Sequence, residues 1–252
     1  MIKIKNEREI ALIRESSKIV AEVLRLLESQ IRPGVTTQEL DRVAEDFIRS
    51  NGGTPAFKGY GQDRFNLFPA TICTSIDDQV VHGIPGNRVL REGEIISIDV
   101  GVRKNGFYGD GAATFAVGKI SDTKARLMKI TRESLAKGIE RAVAGNYLHD
   151  ISAAVQEYVE TAGFSVVRDL VGHGVGSELH EDPAVPNYGK AGTGLKLKEG
   201  LTLAIEPMVN GGTYKVRIAD DGWTVYTMDA EPSAHFEHTI VVRKNNAEVL
   251  TN

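Results

Sequence analysis

The feature that most constrains the fold is a repeat. Pro33-Gly34 is echoed by Ala144-Gly145, Leu40 by Ile151 and Gly52 by Gly163, each pair 111 residues apart. Leu90-Arg91-Glu92-Gly93 leads into Ile95-Ile96-Ser97-Ile98-Asp99. Leu197-Lys198-Glu199-Gly200 leads in the same way into Leu201 to Glu206, at an offset of 107. Arg14-Glu15-Ser16 has a counterpart in Arg132-Glu133-Ser134. Self-similarity of this kind predicts an internal duplication, with halves over about 8–118 and 119–252 of a single domain spanning 1–252. Each half reads helix, helix, then strands. That order predicts an α+β fold with mainly antiparallel sheet, two pseudo-symmetric halves and a site at their seam.

The helices are written in the apolar spacing. Ile10, Ile13, Val20, Leu24 and Leu27 recur at helical steps, with Ser17 on the same stripe, until Arg32-Pro33-Gly34 stops them. Thr36 followed by Glu39 has capping-box spacing, and Leu40, Val43, Ala44, Phe47 and Ile48 form the next apolar face. Ile151, Ala154, Val155, Tyr158 and Val159 form the matching stripe in the second half.

Composition removes several classes of function. Lys plus Arg number 30 against 34 Asp plus Glu, a net charge of -4, so no basic footprint for DNA or RNA exists. The single cysteine, Cys73, excludes an intramolecular disulfide and fits a reducing compartment. The N-terminus has no apolar signal region and no apolar run reaches the roughly 20 residues of a membrane span, so a cytoplasmic chain is expected.

What remains is a set of acids placed where acids are costly. Asp99 sits in Ile-Ser-Ile-Asp-Val, Glu206 in Leu-Ala-Ile-Glu-Pro, and Glu237 just before His-Thr-Ile-Val-Val. An unpaired buried carboxylate costs several kcal/mol unless a cation or partner offsets it. Asp110 follows Asp99 at the distance of a hairpin turning at Lys104-Asn105-Gly106, which predicts that the two meet. Any one of these acids alone is explained by a solvated strand face; four together repel without a cation. Among six histidines, His82, His173 and His180 stand in glycine-rich turns, whereas His149 and His238 suit helix-edge and opposite-face positions. Carboxylates with one or two imidazoles make a ligand set for a hard or borderline divalent ion. Two such ions about 3.5 Å apart activate water and polarise a carbonyl, which points to hydrolysis of a peptide-like or ester-like bond. No phosphate loop and no Gly-x-Ser-x-Gly elbow competes.

Taken together, His82-Gly-Ile-Pro, Ile98-Asp99-Val100, Asp110, Gly172-His173-Gly-Val-Gly, His180-Glu-Asp-Pro, Ile205-Glu206-Pro-Met-Val-Asn, Asp221-Gly222-Trp223-Thr and Glu237-His-Thr-Ile-Val-Val resemble the type I methionine aminopeptidases over nearly the whole chain. The resemblance implies the pita-bread fold and a metal-dependent hydrolase that removes the initiator methionine when the second residue is small. It implies two divalent ions (Fe, Mn, Co or Zn) held by Asp99, Asp110, His173, Glu206 and Glu237. Asp110 and Glu237 would bridge them, and Glu206 would also relay a proton. His82 and His180 would contact the substrate and the tetrahedral intermediate. Tyr60, Phe68, Cys73, Leu179 and Trp223, with Phe57 beside them, would line the methionine pocket. The partners implied are nascent polypeptide N-termini, with transient ribosome contact, no DNA, no membrane and a monomeric chain. A catalytic domain without an N-terminal zinc-binding extension and without the type II insertion is also expected.

Four features depart from the family pattern. The loop Gly61–Leu67 looks long. Gly101 replaces a frequent Thr, and His235 stands where Gln is usual. Asp77 lies near a loop that in relatives holds a monovalent cation. Two competing readings are an X-Pro or dipeptide-cleaving pita-bread peptidase, and a pita-bread protein without catalysis used for binding. The absence of an extra N-terminal domain weighs against the first, and the intact ligand set against the second.

Overall fold

A computed structural model describes residues 2–61 and 63–252. Among them are four α-helices: α1 (Glu7–Gln30), α2 (Thr37–Ser50), α3 (Asp122–Arg141) and α4 (Leu148–Thr161). The predicted Thr36–Glu39 capping box opens α2, and a second box, Asn6 with Glu9, opens α1. In α4 the buried stripe is Leu148, Ile151, Ser152, Val155 and Val159. Ala154 and Tyr158, expected on that face, are only partly buried, and the Tyr158 hydroxyl donates to Glu133 on α3. An α3–α4 packing contact thus rotates the stripe toward Ser152.

Every strand pair in the four sheets is antiparallel, as expected. One sheet centres on Ile95–Lys104, flanked by Ile72–Ile76 and Phe107–Ala116. Another runs Ala247–Val249, His238–Val242, Thr202–Ile205, Gly172–Gly174 and Glu181–Val185. Each has its own helices. Ile96, Ile98, Val100 and Val102 pack with Val20, Leu27, Leu40 and Ile48 of α1 and α2. Leu203, Ile205, Ile240 and Val242 pack with Leu135 and Ile151 of α3 and α4. Full burial of each such side chain contributes about 1.5–3 kcal/mol before entropy is charged. The echoed glycines adopt matching backbones: φ is 95° at Gly34 and 100° at Gly145, 72° at Gly52 and 81° at Gly163, 89° at Gly93 and 83° at Gly200.

Strand alternation positions the chemistry. On Ile95–Lys104 the even-numbered residues feed the helical core, so Asp99 and Gly101 face the other way. Asn105 and Gly106, both at positive φ, close a two-residue turn that sets Gly101 opposite Asp110 and Asp99 opposite Ala112. Asp99 and Asp110 therefore share a face as diagonal neighbours.

Candidate metal centre and substrate cleft

The acids converge from different segments. Asp99 and Asp110 come from the hairpin, His173 from Gly172–Gly174, and Glu206 follows Thr202–Ile205. Glu237 lies between Ser233–His235 and His238–Val242, and its N–H donates to Ala112 O at 2.9 Å, locking that junction onto the hairpin. Ligand atoms of Asp99, Asp110 and Glu237 lie within 4.8 Å of one another, as do those of His173, Glu206 and Glu237. Glu237 belongs to both groups. A third group joins Asp110, His173 and His180.

The electrostatics are those of a site suited to a cation. Burial pushes the Asp99 carboxyl from 3.8 up to about 7. It pushes Asp110, Glu206 and Glu237 well above the carboxylate range, and the neighbouring acids add to the effect. Asp99 Oδ1 and Glu237 Oε1 are buried among the described residues with no hydrogen-bond partner. Orphaned carboxylate oxygens in such numbers fit divalent metal. Histidine chemistry fits it too. His173 Nδ1–H donates to Gly174 O at 2.9 Å, so its Nε2 lone pair points inward, 3.5 Å from Glu206 Oε1 and 3.8 Å from Asp110 Oδ2. Burial holds the ring neutral by lowering its pKa to about 3.

Two spaces meet at this cluster. One is a cavity of about 130 Å³ lined by Phe57, Tyr60, Phe68, Cys73 and Trp223 together with His82, His180 and the acids. Phe68 stands edge-on to both Phe57 and Trp223. Leu179 is buried in the same apolar cluster, behind the rings. Leu179, expected in this wall, does not line the cavity, and Phe57 joins Tyr60, Phe68, Cys73 and Trp223 there. The Tyr60 hydroxyl and His180 Nδ1 share a hydrogen bond of 2.5 Å. The second space, about 620 Å³, is an open cleft lined by Val81, Leu170, Met208, Ala184 and His235; it reaches the same His82, His173, His180 and Glu206. Leu170 and Met208 carried no sequence signal, because lone apolar residues in short strands and loops read as core. A larger groove of about 910 Å³ between α1 and α3 is lined mainly by apolar side chains such as Phe115, Met128 and Phe236. Its histidine, His238, is paired with Thr251, which accords with a structural role.

The departures find local reasons. Gly101 leaves room for Phe57: a Cβ there would lie 2.6 Å from Phe57 Cε1. His235 is buried rather than turned to solvent, with both ring nitrogens unpartnered and Nε2 3.7 Å from Glu206 Oε2. Asp77 Oδ1 accepts from Lys124 Nζ at 2.6 Å and from Ile95 N–H at 3.0 Å, so an ammonium already sits on that carboxylate. In the Gly61–Leu67 loop, Gln62 lies outside the described residues. Asn66 O accepts from the Trp223 indole, which ties the rest of the loop to the cavity wall.

Comparison with known proteins decides the family. The model of metallopeptidase family M24 matches residues 11–244. A methionine aminopeptidase of Clostridium perfringens is 55% identical, covering 100% of this chain and 99% of the relative. Methionine aminopeptidase 1 of Bacillus subtilis is 50% identical, with the same coverage. The chain belongs to metallopeptidase family M24, among the methionine aminopeptidases. The M24 pita-bread fold accounts for the two helix-backed sheets. The crystal structure of methionine aminopeptidase from Thermotoga maritima superposes with a TM-score of 0.97 at 45% identity, each chain covered in full. Family membership makes this M24 chain a metal-dependent hydrolase, and the acid clusters are its candidate ligands. No helix of the described residues is long and apolar enough to cross a membrane.

Proposed function

We propose that this M24 chain removes the initiator methionine from polypeptides whose second residue is small, using two divalent ions held by Asp99, Asp110, His173, Glu206 and Glu237. The observation that carries the reading is the sharing of Glu237 between two ligand groups, one with Asp99 and Asp110 and one with His173 and Glu206. Bound metal would polarise the scissile carbonyl and acidify water at the cluster. The protein's own groups do the rest. Glu206, at the junction of both spaces, accepts the proton of the attacking water and passes it to the departing amine. His82 and His180 are uncharged: burial lowers the pKa of both, that of His82 to about 4. A neutral imidazole N–H donates to the developing oxyanion without repelling a neighbouring cation.

The smaller cavity takes one side chain, not a peptide, since cavities for drug-sized ligands run about 300–1,000 Å³. Aromatic rings and Cys73 suit an unbranched, polarisable thioether. The remaining chain leaves through the open cleft. Its wall includes Met208 and His235, each 1% exposed. The residue after the methionine would sit where this cleft meets the cluster, beside His82 and His180, which favours a small side chain. The chain works as one catalytic domain with duplicated halves. It is a cytoplasmic monomer that meets nascent N-termini in transient ribosome contact. Native metal is set by availability among Fe, Mn, Co and Zn.

The test is hydrolysis of Met-Ala-Ser against Ala-Pro and Gly-Met peptides, before and after chelation and after added Mn or Co. Selective cleavage of Met-Ala-Ser that is lost on chelation and restored by metal is expected. Preference for Ala-Pro, or full activity after thorough metal stripping, overturns the reading.

A further inference from the structure

We propose that Lys5, on the segment before α1, is a positioning residue for His180, acting through the buried carboxylate of Glu181. The inference rests on the reading of His180 as a substrate contact. Glu181 belongs to the His180-Glu181-Asp182-Pro183 motif but to none of the metal-ligand groups, so the chemistry leaves it without a role. Lys5 Nζ donates to Glu181 Oε2 at 2.5 Å, and the two side chains are only 3% and 5% exposed. A buried ion pair yields little net stability, because desolvation offsets the attraction. What such a pair does supply is a fixed geometry.

That geometry leads to His180. The second oxygen of Glu181 accepts from Ser177 Oγ at 3.2 Å and from Glu178 N–H at 3.3 Å, closing the turn 177–181 on itself. Leu179 and His180 stand inside this turn. Lys5 is itself anchored, since its backbone N–H donates to Gly200 O at 2.9 Å and its ammonium also donates to Lys3 O at 3.1 Å. Gly200 lies two residues before the strand that leads to Glu206. On the other side, Tyr108 N–H donates to Gly176 O at 2.9 Å, from the strand carrying Asp110. Gly176 lets the pair form: a Cβ there would lie 2.5 Å from Lys5 Cε and 2.6 Å from Glu181 Oε1. The ion pair therefore ties the His180 turn toward the strand that leads to Glu206, while the Tyr108–Gly176 bond separately ties it to the strand carrying Asp110. It sets the ring beside His173, at 4.3 Å between centroids, and beside the Tyr60 hydroxyl. An error of about 1 Å in such a contact costs on the order of 10²-fold in rate.

The experiment compares Lys5→Met with wild type in the metal-loaded enzyme, reading kcat and KM on Met-Ala-Ser, Tm, and the ¹⁵N-detected histidine ring signals. A fall in kcat of about tenfold or more is expected. The His180 ring signals should move while those of His149, hydrogen-bonded to Thr193, stay. Lys5→Arg, which keeps the charge, should restore most of kcat. If Lys5→Met does not fold, the double variant Lys5→Met/Glu181→Gln removes both charges together and should show the same kinetic loss. A kcat within about twofold of wild type with unmoved His180 signals overturns the proposal, however far Tm falls. If wild type itself does not cleave Met-Ala-Ser, the functional reading fails, and the ring signals still decide whether Lys5 sets the position of His180.

Discussion

Single residues at the cluster are in conflict with their surroundings, and that conflict is measurable. Glu206 is the residue whose removal separates chemistry from folding. Glu206→Gln keeps the shape but cannot accept a proton, so kcat should fall by about 10²-fold or more. The metal-free variant should melt no lower than metal-free wild type, because burial and Asp99 already keep Glu206 protonated and Gln is its neutral isostere. Near-normal turnover would contradict the assignment. The pH dependence of the metal-free protein follows from the same groups. Asp99, Asp110, Glu206 and Glu237 have raised pKa values in the fold, so the native state holds protons that the unfolded chain has released, and stability falls as pH rises. His82, His173 and His235, with pKa values lowered by burial to about 4, 3 and 3, act oppositely, but only below their unfolded value of 6.5. The two effects oppose each other between the ordinary carboxylate value and pH 6.5, and above that, among these groups, only the acids remain. Tm of chelated protein should therefore decline from pH 6.5 through about 7, where Asp99 titrates, and beyond it for the other three. Saturating metal should flatten the decline. A Tm of chelated protein that stays level or climbs over this range would show that the cluster does not retain its protons.

At the scale of elements, the hairpin Ile95–Ala116 does most of the placing. Its Asn105-Gly106 turn fixes the register, and a slip of one residue between its strands would put the two aspartates on opposite faces. Gly101, beside Asp99 on the same face, is where the hairpin meets the substrate wall. Gly101→Ala puts a methyl within 2.6 Å of the Phe57 ring and 2.9 Å of Ala56 Cβ. The ring must then move toward Phe68 and the cavity. Overpacking of this kind costs about 1–3 kcal/mol, and KM for methionine peptides should rise more than kcat falls. Calorimetry with steady-state kinetics checks both; unchanged Tm and KM would mean that Phe57 yields freely and does not define the cavity.

At the scale of the molecule, two spaces of different shape read the substrate on either side of the scissile bond. The smaller cavity should accept norleucine poorly but measurably, since small changes in an apolar side chain are worth about 1–3 kcal/mol. It should reject Lys or Asp, whose charge finds no partner among the rings. In a Met-X-Ser series, Gly, Ala and Ser at X should be cleaved, whereas Leu, Phe and Arg should crowd His82 and His180 beside the cluster and lose alignment by about 10²-fold. Equal rates across the series would refute the small-residue requirement.

The sequence alone was informative wherever a local pattern forces a local structure. The 3.6-residue spacing of Ile10, Ile13, Val20 and Leu27, the Thr36–Glu39 cap and the Asn105-Gly106 turn each specify their element with no help from distant residues. Acids inside apolar strands announced a cation because a lone buried carboxylate has no other inexpensive solution. The motif set around Asp99, His173, Glu206 and Glu237 placed the chain in its family. Tertiary structure decided what depends on contacts between distant segments. The burial of Ser152 instead of Tyr158, the pressing of Phe57 against Gly101, the reach of Lys5 across the chain to Glu181, and the inward turn of His235 all arise from neighbours more than 20 residues away or from the shape of a cavity. Periodicity records which face of an element is apolar. It does not record which other face will be laid against it, and the packing of those faces sets the size of each pocket and the aim of each polar side chain.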